Sequence, residues 1–415
     1  MTDVAIRTLT EDEAAEWHRA MAVGFLGEPV VHPEDVEKRL QTIDLNRTQG
    51  AWDGKRCVGT FRSFAQQLTV PGGTSIPATA VSNVTVTSTH RRRGLLTRMM
   101  ANDLTAAKER GEIAATLIAA EYPIYGHHGF GPATWVTEWE VDIPRTGLDP
   151  RYAGPADGGT VELVTGDEVR TVGPALFEKF RLQTPGAVDR DARWWQEWTG
   201  EIRSAARTWK EPYYALYRSA DGEPEGLVSY TTDNQDWRSK LPYCEAKVGK
   251  LIATTPAAER ALWHYLCSID WVAKLKTGYR APDDLLPLLL PDPRAARVHS
   301  HADYLWIRPL DTPRFLEARA YGAPGELVLE LDDPKNLSGG RYLLTTDGPT
   351  ASCTPTTRSA DLTLPVSELG TLYLGDESAV RLTALGRVTE NTPGAAARTD
   401  LLFRTPRRPW CPDVF

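Results

Sequence analysis

A strand that ends in a basic, glycine-bearing loop and runs straight into an amphipathic helix constrains this 415-residue chain more than any other stretch of it. Val84-Thr85-Val86 alternates as a strand, Thr87 to Thr89 interrupts it, and His90-Arg91-Arg92-Arg93-Gly94-Leu95-Leu96 leads into the helix. Leu95, Leu96, Met99, Met100, Leu104 and Ala107 recur at helical spacing, so one face from Gly94 to about Arg110 is apolar. Arg98, Asn102, Lys108 and Glu109 occupy the opposite face, and Gly111 suits the residue just past the last turn. The loop therefore lies at a helix N-terminus, where unpaired N–H groups and the helix dipole attract anions. Three guanidinium groups add charge and bidentate phosphate geometry, and together these features predict a pyrophosphate cradle. On its own, a run of three arginines also fits a solvated patch or a contact with nucleic acid. No Gly-x-x-x-x-Gly-Lys-Ser/Thr is present and this turn lacks Gly-x-Gly-x-x-Gly, so neither an NTPase loop nor a dinucleotide fold is supported.

Length and charge narrow the class. A chain of 415 residues predicts two or three domains with ample core. A net charge of −8, with no long basic stripe outside the arginine loop, disfavours general nucleic-acid binding. The absence of a basic start followed by an apolar run, and of any apolar stretch long enough to span a bilayer, predicts a soluble cytoplasmic protein with no membrane span. Five scattered cysteines, Cys57, Cys244, Cys267, Cys353 and Cys411, indicate neither a disulfide framework nor a zinc site.

The order of elements predicts a mixed α/β (α+β) chain in three parts. The first, residues 1–148, opens with a strand near Val4 to Leu9 and a capping box at Thr10-Glu11-Asp12-Glu13 for a helix carrying Trp17. A helix near Pro33 to Leu40 follows, then hairpins turning at Asp53-Gly54 and Pro71-Gly72-Gly73. The basic loop and its helix come next, then a buried strand over Ala114 to Ala120 broken by Glu121 to Gly126, and an alternating strand over Thr134 to Val141. A Pro- and Gly-rich linker near Asp149 to Gly158 opens the second part, residues 149–311. There a helical segment carries Trp194, Trp195 and Trp198, and a hairpin joins Tyr213–Tyr217 to Leu227–Tyr230. Val248 to Ala253 then runs through Thr254-Thr255-Pro256 into a helix, and Tyr304 to Ile307 closes the unit. This is a second copy of the same fold with Thr-Thr-Pro where the arginine loop would stand, expected not to bind the same ligand. The third part, residues 312–415, is α+β, with short strands at Leu327–Leu331, Arg341–Thr345, Ala360–Leu364 and Ala379–Leu385 and an apolar run at Leu369 to Gly375. The chain ends in Trp410-Cys411-Pro412-Asp413-Val414-Phe415, more apolar than a frayed tail.

The run from Val84 to Leu96, with Glu121, Ile124-Tyr125-Gly126 and His127 to Thr134, resembles the GCN5-related N-acetyltransferases, and more narrowly the Eis (enhanced intracellular survival) family. The resemblance covers the whole chain and implies tandem acetyltransferase folds, the first active and the second degenerate, followed by a sterol-carrier-protein-like domain that supplies a catalytic C-terminus. It implies acetyl-CoA as acyl donor and an amine acceptor, small molecule or peptide, with no metal, and a homohexamer. Carried over residue by residue, it assigns Val84, Thr85 and Val86 to the pantetheine arm, Arg92, Arg93, Gly94, Leu95, Leu96 and Thr97 to the pyrophosphate, and Ala120 and Glu121 to the neighbouring splayed strand. It assigns Tyr125 as general acid and the terminal carboxylate of Phe415 as general base. Relatives carry acidic groups near the acceptor, often beside the terminal Phe; here Val414 takes that place. Asp413 lies one step further away, and Phe25 and Glu28 are candidates to line the acceptor pocket. Leu96 stands where the general acetyltransferase loop has Gly or Ala.

Elementary chemistry agrees with these roles. An alkylammonium with a pKa near 10.4 must lose a proton before attacking a thioester, and a carboxylate or its bound water can take it. Charge develops on the thioester oxygen, which a strand N–H such as that of Val86 can stabilise, and a phenol of lowered pKa serves best to protonate the departing thiolate. Each role has a plainer reading. Tyr125 also fits ordinary packing, the adjacent His127 and His128 lack metal-ligand spacing, the tryptophans near 195 fit a core, and Phe415 fits an apolar anchor. The expected activity is acetyl transfer to primary amines of a polycationic small molecule, aminoglycoside-like or polyamine. A lysine or protein acetyltransferase, and a non-catalytic acyl-CoA- or lipid-binding protein, are the alternatives.

Overall fold

The computed structural model describes residues 4–149, 151, 154–205, 208–233, 236–238 and 240–415. The chain starts with β1 (Ala5–Thr8), α1 (Ala14–Gly24), α2 (Pro33–Leu40), β2 (Thr48–Asp53), β3 (Arg56–Thr69) and β4 (Ser75–Val86). A capping box is formed at Thr10 and Glu13 ahead of α1, as the sequence predicts. α3 (Leu95–Glu109), β5 (Ala114–Ile118), α4 (Tyr122–Tyr125) and β6 (Gly131–Pro132) follow. α3 buries Leu95, Met99, Met100, Leu104 and Ala107 against β3, β4 and β5, the stripe its periodicity requires.

The second part contains β7 (Trp135–Asp142), β8 (Thr160–Val164), α5 (Gly166–Leu182), α6 (Ala192–Trp198), β9 (Tyr213–Arg218), β10 (Pro224–Thr232), β11 (Asp236–Arg238) and β12 (Leu241–Ala253). α7 (Pro256–Cys267), β13 (Val272–Lys276), α8 (Leu286–Leu289), β14 (Ala296–Asp303) and β15 (Leu305–Pro309) complete it. α5 is absent from the sequence reading, because Gly166, Gly173 and Pro174 mask a helix whose apolar side is nonetheless regular: Val169, Gly173, Leu176, Phe177 and Phe180 are buried.

Two strands lie in sheets other than those the sequence order assigns them. The first sheet runs β1-β2-β3-β4-β5-β15-β6 and the second β14-β7-β13-β12-β10-β9-β8, with β11 on β12. Thus β7, read as the end of the first unit, pairs with β13 and β14, where Val141 lies opposite Leu275 and Ala296. Conversely β15, read as closing the second unit, lies between β5 and β6, with Leu305 opposite Ile118 and Ile307 opposite Thr116. Alternation fixes which side chains share a face but leaves the hydrogen-bonding edges open, so it cannot name a partner strand. The exchange locks the first two sheets together through buried backbone ladders.

The third part is built from α9 (Thr312–Glu317), β16 (Gly325–Asp332), β17 (Gly340–Thr346), β18 (Ala351–Pro355), β19 (Leu362–Pro365), α10 (Val366–Tyr373), α11 (Ala379–Ala384), β20 (Thr389–Glu390) and α12 (Ala395–Phe403). Its sheet runs β18-β17-β16-β19-β20. Residues 379–385 are not the strand the sequence reading expects but α11. Ala379 and Leu382 are buried three apart, the Ser378 hydroxyl accepts the Arg381 N–H at 3.2 Å, and Asp400 accepts the Ala379 N–H at 2.6 Å. Buried Arg308 of β15 ties this part to the first sheet, donating to Asp333 at 2.9 and 3.1 Å and to the His128 carbonyl at 2.6 Å. Among the described residues no helix is long and apolar enough to cross a membrane.

Candidate functional site

The parallel pairing of β4 with β5 runs only from Ala78–Ala114 to Val81–Leu117. Immediately beyond, β4 carries one extra residue relative to β3, because Ser82 lies opposite Arg62 and Thr85 opposite Thr60. Asn83, at φ +52°, belongs to this bulge. A bulge bends its strand and ends pairing, and here it swings Val84–Val86 away from β5 to open a wedge in the middle of the sheet. On the far side β4 stays bonded to β3, with the Thr87 N–H donating to the Val58 carbonyl at 2.8 Å. Since antiparallel bonds alternate, the N–H and C=O of Val86 point into the wedge. The Val84 and Val86 side chains pack towards α3, whereas the Thr85 hydroxyl bonds that of Thr60 at 2.8 Å on the other face. α1 approaches so closely there that a methyl group at Gly24 would collide with Thr85.

The wedge opens onto the basic loop. Gly94 precedes α3 at φ +71°, and no side chain caps the helix, so the N–H groups of its first turn have no acceptor among the described residues. A Cβ at Gly94 would meet nothing within 4 Å, so the space over the helix start is open. Arg91, Arg92 and Arg93 are exposed and form no ion pair with a described residue; Arg93 donates to the Thr89 carbonyl at 3.3 Å. His90 is turned inward between Thr89 and Asp53. Uncompensated positive charge, free N–H groups and open space meet where the sequence places a pyrophosphate cradle. The equivalent turn of the second part is chemically closed. Thr255 accepts the Ala258 N–H at 3.2 Å at the start of α7, and Pro256 has no N–H to offer.

Beyond β5, Ala120 and Glu121 are exposed, and Glu121 leads into α4. Tyr125, the last residue of α4, is 8% exposed and packs edge-on against Phe130 at 6.4 Å, in the same apolar cluster as Val84 and Val86. Its hydroxyl has no hydrogen-bond partner among the described residues and is not sealed off from solvent. Burial, reinforced by the charge of Glu121, pushes the phenol above its ordinary value of 10.0. That is the reverse of the lowering that sequence reasoning asks of a general acid. The phenol keeps its proton throughout the neutral range, and its transfer to a thiolate is uphill.

The C-terminus packs onto β3 of the first sheet and against the apolar cluster that also takes in Ile118 at the end of β5. The half-buried ring of Phe415 meets Phe64 of β3 edge-on at 5.9 Å. Asp413 does not face an open pocket. It is buried and accepts from Arg190 at 2.8 and 2.9 Å and from Lys250 at 3.0 Å, and Lys250 also bonds the Pro412 carbonyl. Burial pushes the Asp413 carboxyl up, but the charges of Arg190 and Lys250 outweigh it and hold it below its ordinary value of 3.8. Arg190 lies 3.7 Å from the ring centres of both Phe177 and Trp194, which accounts for the aromatic run as packing around this cation. The Trp410 N–H donates to Pro185 at 2.8 Å. The second part therefore clamps the tail of the third onto the sheet of the first. Of the two acceptor-pocket candidates on the α1 loop, Phe25 and Glu28 are both exposed. Arg190, Lys250 and Phe64 lie outside the sequence reading, since nothing local marks a residue whose partner is over a hundred positions away.

Comparison with known proteins agrees with this architecture along the whole chain. Residues 5–133 and residues 186–308 each match an acetyltransferase (GNAT) domain, and residues 312–412 match a sterol carrier protein domain. An uncharacterized N-acetyltransferase of Streptomyces avermitilis is 61% identical over 413 residues, covering 100% of this chain and 99% of the relative. N-acetyltransferase Eis of Mycobacterium tuberculosis is 35% identical over 359 residues, covering 85% of each chain. The crystal structure of Eis1 from Mycobacterium abscessus superposes with a TM-score of 0.85 at 30% identity, covering 99% of this chain and 100% of that one.

Proposed function

Because this chain belongs to the Eis family of GCN5-related N-acetyltransferases, and so is an N-acetyltransferase, we propose that it moves acetyl from acetyl-CoA to a primary amine with Tyr125 as general acid and the Phe415 carboxylate as general base. The observation that carries the reading is the open, uncapped helix start at Gly94, where Val84–Val86 leaves β5; Tyr125 packs in the same apolar cluster as Val84 and Val86, and Asp413 clamps the C-terminus.

Acetyl-CoA supplies an activated thioester. The open space over Gly94, the first-turn N–H groups of α3 and the side chains of Arg92 and Arg93 fit its pyrophosphate; the backbone of Val84 to Val86 lines the wedge for the pantetheine arm, with Thr97 on the first turn and Ala120 and Glu121 on the facing edge. The Phe415 carboxylate, directly or through water, takes a proton from the ammonium, and the amine lone pair forms the new C–N bond. The Val86 N–H is aimed where charge develops on the carbonyl oxygen. As the C–S bond breaks, sulfur keeps the electron pair and Tyr125 delivers its proton there; the acylated nitrogen, still carrying one proton too many, returns one to the Tyr125 phenolate through water and leaves a neutral amide. Burial keeps the Tyr125 phenol protonated, the form a proton donor to the leaving sulfur needs.

The second unit, capped by Thr255, serves as the clamp for Asp413 rather than as a donor site. Of the acidic groups that a polycationic acceptor such as an aminoglycoside or polyamine would need, Asp413 is consumed internally and Glu28 offers an exposed carboxylate. A thiol-release assay with acetyl-CoA against aminoglycosides, polyamines, amino acids and lysine peptides tests the reading; amine-dependent CoA release is expected, and its absence across the panel overturns it. Light scattering tests the homohexamer.

A further inference from the structure

Two arginines beside the candidate acceptor end have no part in the chemistry above. Arg62 projects from β3 opposite Ser82, one residue before the bulge. Its guanidinium lies 4.9 Å from the centre of the Phe64 ring, the same ring that meets Phe415, and its Nε is buried without a hydrogen-bond partner among the described residues. Arg39 of α2 donates to the Asn83 side-chain oxygen at 3.3 Å, so it reaches the bulge itself. Neither forms an ion pair with a described residue.

Neighbouring carboxylates are engaged elsewhere. Glu197 holds Arg193 at 2.6 Å, Asp191 caps α6 through the Trp194 N–H at 2.7 Å, and Asp35 accepts from Ser204 and Ala205 at 3.1 and 2.9 Å. His18, near Arg39, is held neutral by burial and by the charge of Arg39. Burial and the adjacent Arg39 charge lower Arg62 to about 10, which leaves it cationic at neutral pH. Glu197, Asp191 and Asp35 offset part of this charge through space, but none forms an ion pair with either guanidinium among the described residues. Two half-buried cations side by side are thus only partly compensated and favour an anion at the site. The planar guanidinium fork matches a carboxylate in two-point geometry.

We propose that Arg39 and Arg62 form an anion subsite for the acceptor, so that the preferred substrate carries a carboxylate as well as the amine that is acetylated, as a small amino acid does. The inference rests on the acetyl-transfer reading and redirects its acceptor class from polycations to amino carboxylates.

Matched pairs that differ only in the carboxylate test it: lysine against cadaverine, and phenylalanine against phenethylamine, compared by kcat/KM at fixed acetyl-CoA. The wild type is expected to favour the carboxylated member by about tenfold or more, the value of a charged hydrogen bond. Arg62→Gln should collapse that ratio towards one, and Arg62→Lys should keep part of it. Direct titration with hydrocinnamate, a carboxylate without an amine, should show binding to the wild type that weakens about tenfold in Arg62→Gln. A wild-type ratio at or below one, or an equal fall for both members of a pair, overturns the subsite. Absence of turnover with every amine counts against acetyl transfer instead, and the hydrocinnamate titration still decides the subsite: no binding, or equal binding by both proteins, overturns it. Should Arg62→Gln fail to fold, Arg39→Gln carries the same comparison.

Discussion

Replacing Asp413 by Asn should disable the enzyme without touching its donor site. The side chains of Asp413 and Arg190 are 4% and 1% exposed, so the substitution leaves a cation buried with no counter-charge. Removing one partner of a buried pair costs about 3–5 kcal/mol. The lower end applies, because Asn keeps one acceptor oxygen and Lys250, 24% exposed, can turn to solvent. About 3 kcal/mol is roughly a hundredfold in an equilibrium constant. Arg190 remains stacked between Phe177 and Trp194, so the loss falls on docking of the tail from Trp410 to Phe415. Two assays read it. Carboxypeptidase release of Phe415 from the native protein should accelerate by up to about a hundredfold, since cleavage follows the undocked population. In thiol release, kcat should fall at least tenfold with the acetyl-CoA KM within about twofold, because the wedge and the basic loop are untouched. The pH dependence has a definite sign. The folded pKa of Asp413 is lowered, so its contribution to docking is complete above the ordinary carboxylate value and is lost as pH falls through the lowered one. Tail docking is therefore independent of pH across the neutral range. Wild-type kinetics together with unchanged release of Phe415 would refute the clamp.

Tyr125→Phe should lower kcat by about a hundredfold or more, in the range of general acid catalysis, while acetyl-CoA binding measured by titration stays close to wild type. Because the phenol is raised above 10.0, the loss of activity from its ionisation should begin only above that pH, and Glu121→Gln should move the limb downward in a pH–rate profile. Gly94→Ala forces an L side chain to φ +71° over the helix start, which costs about 1–2 kcal/mol and obstructs the anion; the expected result is a markedly raised acetyl-CoA KM with a small change in melting temperature. A short extension beyond Phe415 displaces the terminal carboxylate, so kcat should drop far more than acetyl-CoA affinity, and full activity would remove Phe415 from the base role.

Where local rules decide the outcome, the sequence was legible. The stripe from Leu95 to Ala107, the capping box at Thr10 and the hairpin turn at Pro71-Gly72-Gly73 are all present, because each depends on neighbours within a few positions. Gly173 and Pro174 hide α5, and the run at α11 reads as a strand because a short apolar stretch carries no length by which to tell the two apart. At the site, the basic loop stood out by composition, whereas Arg39 and Arg62 did not. A lone arginine in a strand or helix reads as surface until its burial and its lack of an ion-pair partner among the described residues are seen in three dimensions.

The sequence alone determined the strand, basic loop and helix proposed to hold the donor, since φ, capping and charge are set by adjacent residues. Only the tertiary structure decided what surrounds them. Strand edges carry no address in sequence, so the exchange of β7 and β15 between sheets became visible only in the pairing. Ion pairing is likewise blind to sequence distance. The contact of Asp413 with Arg190 spans 223 positions, and by that contact a domain without an anion loop holds the last carboxylate of the chain against the first domain.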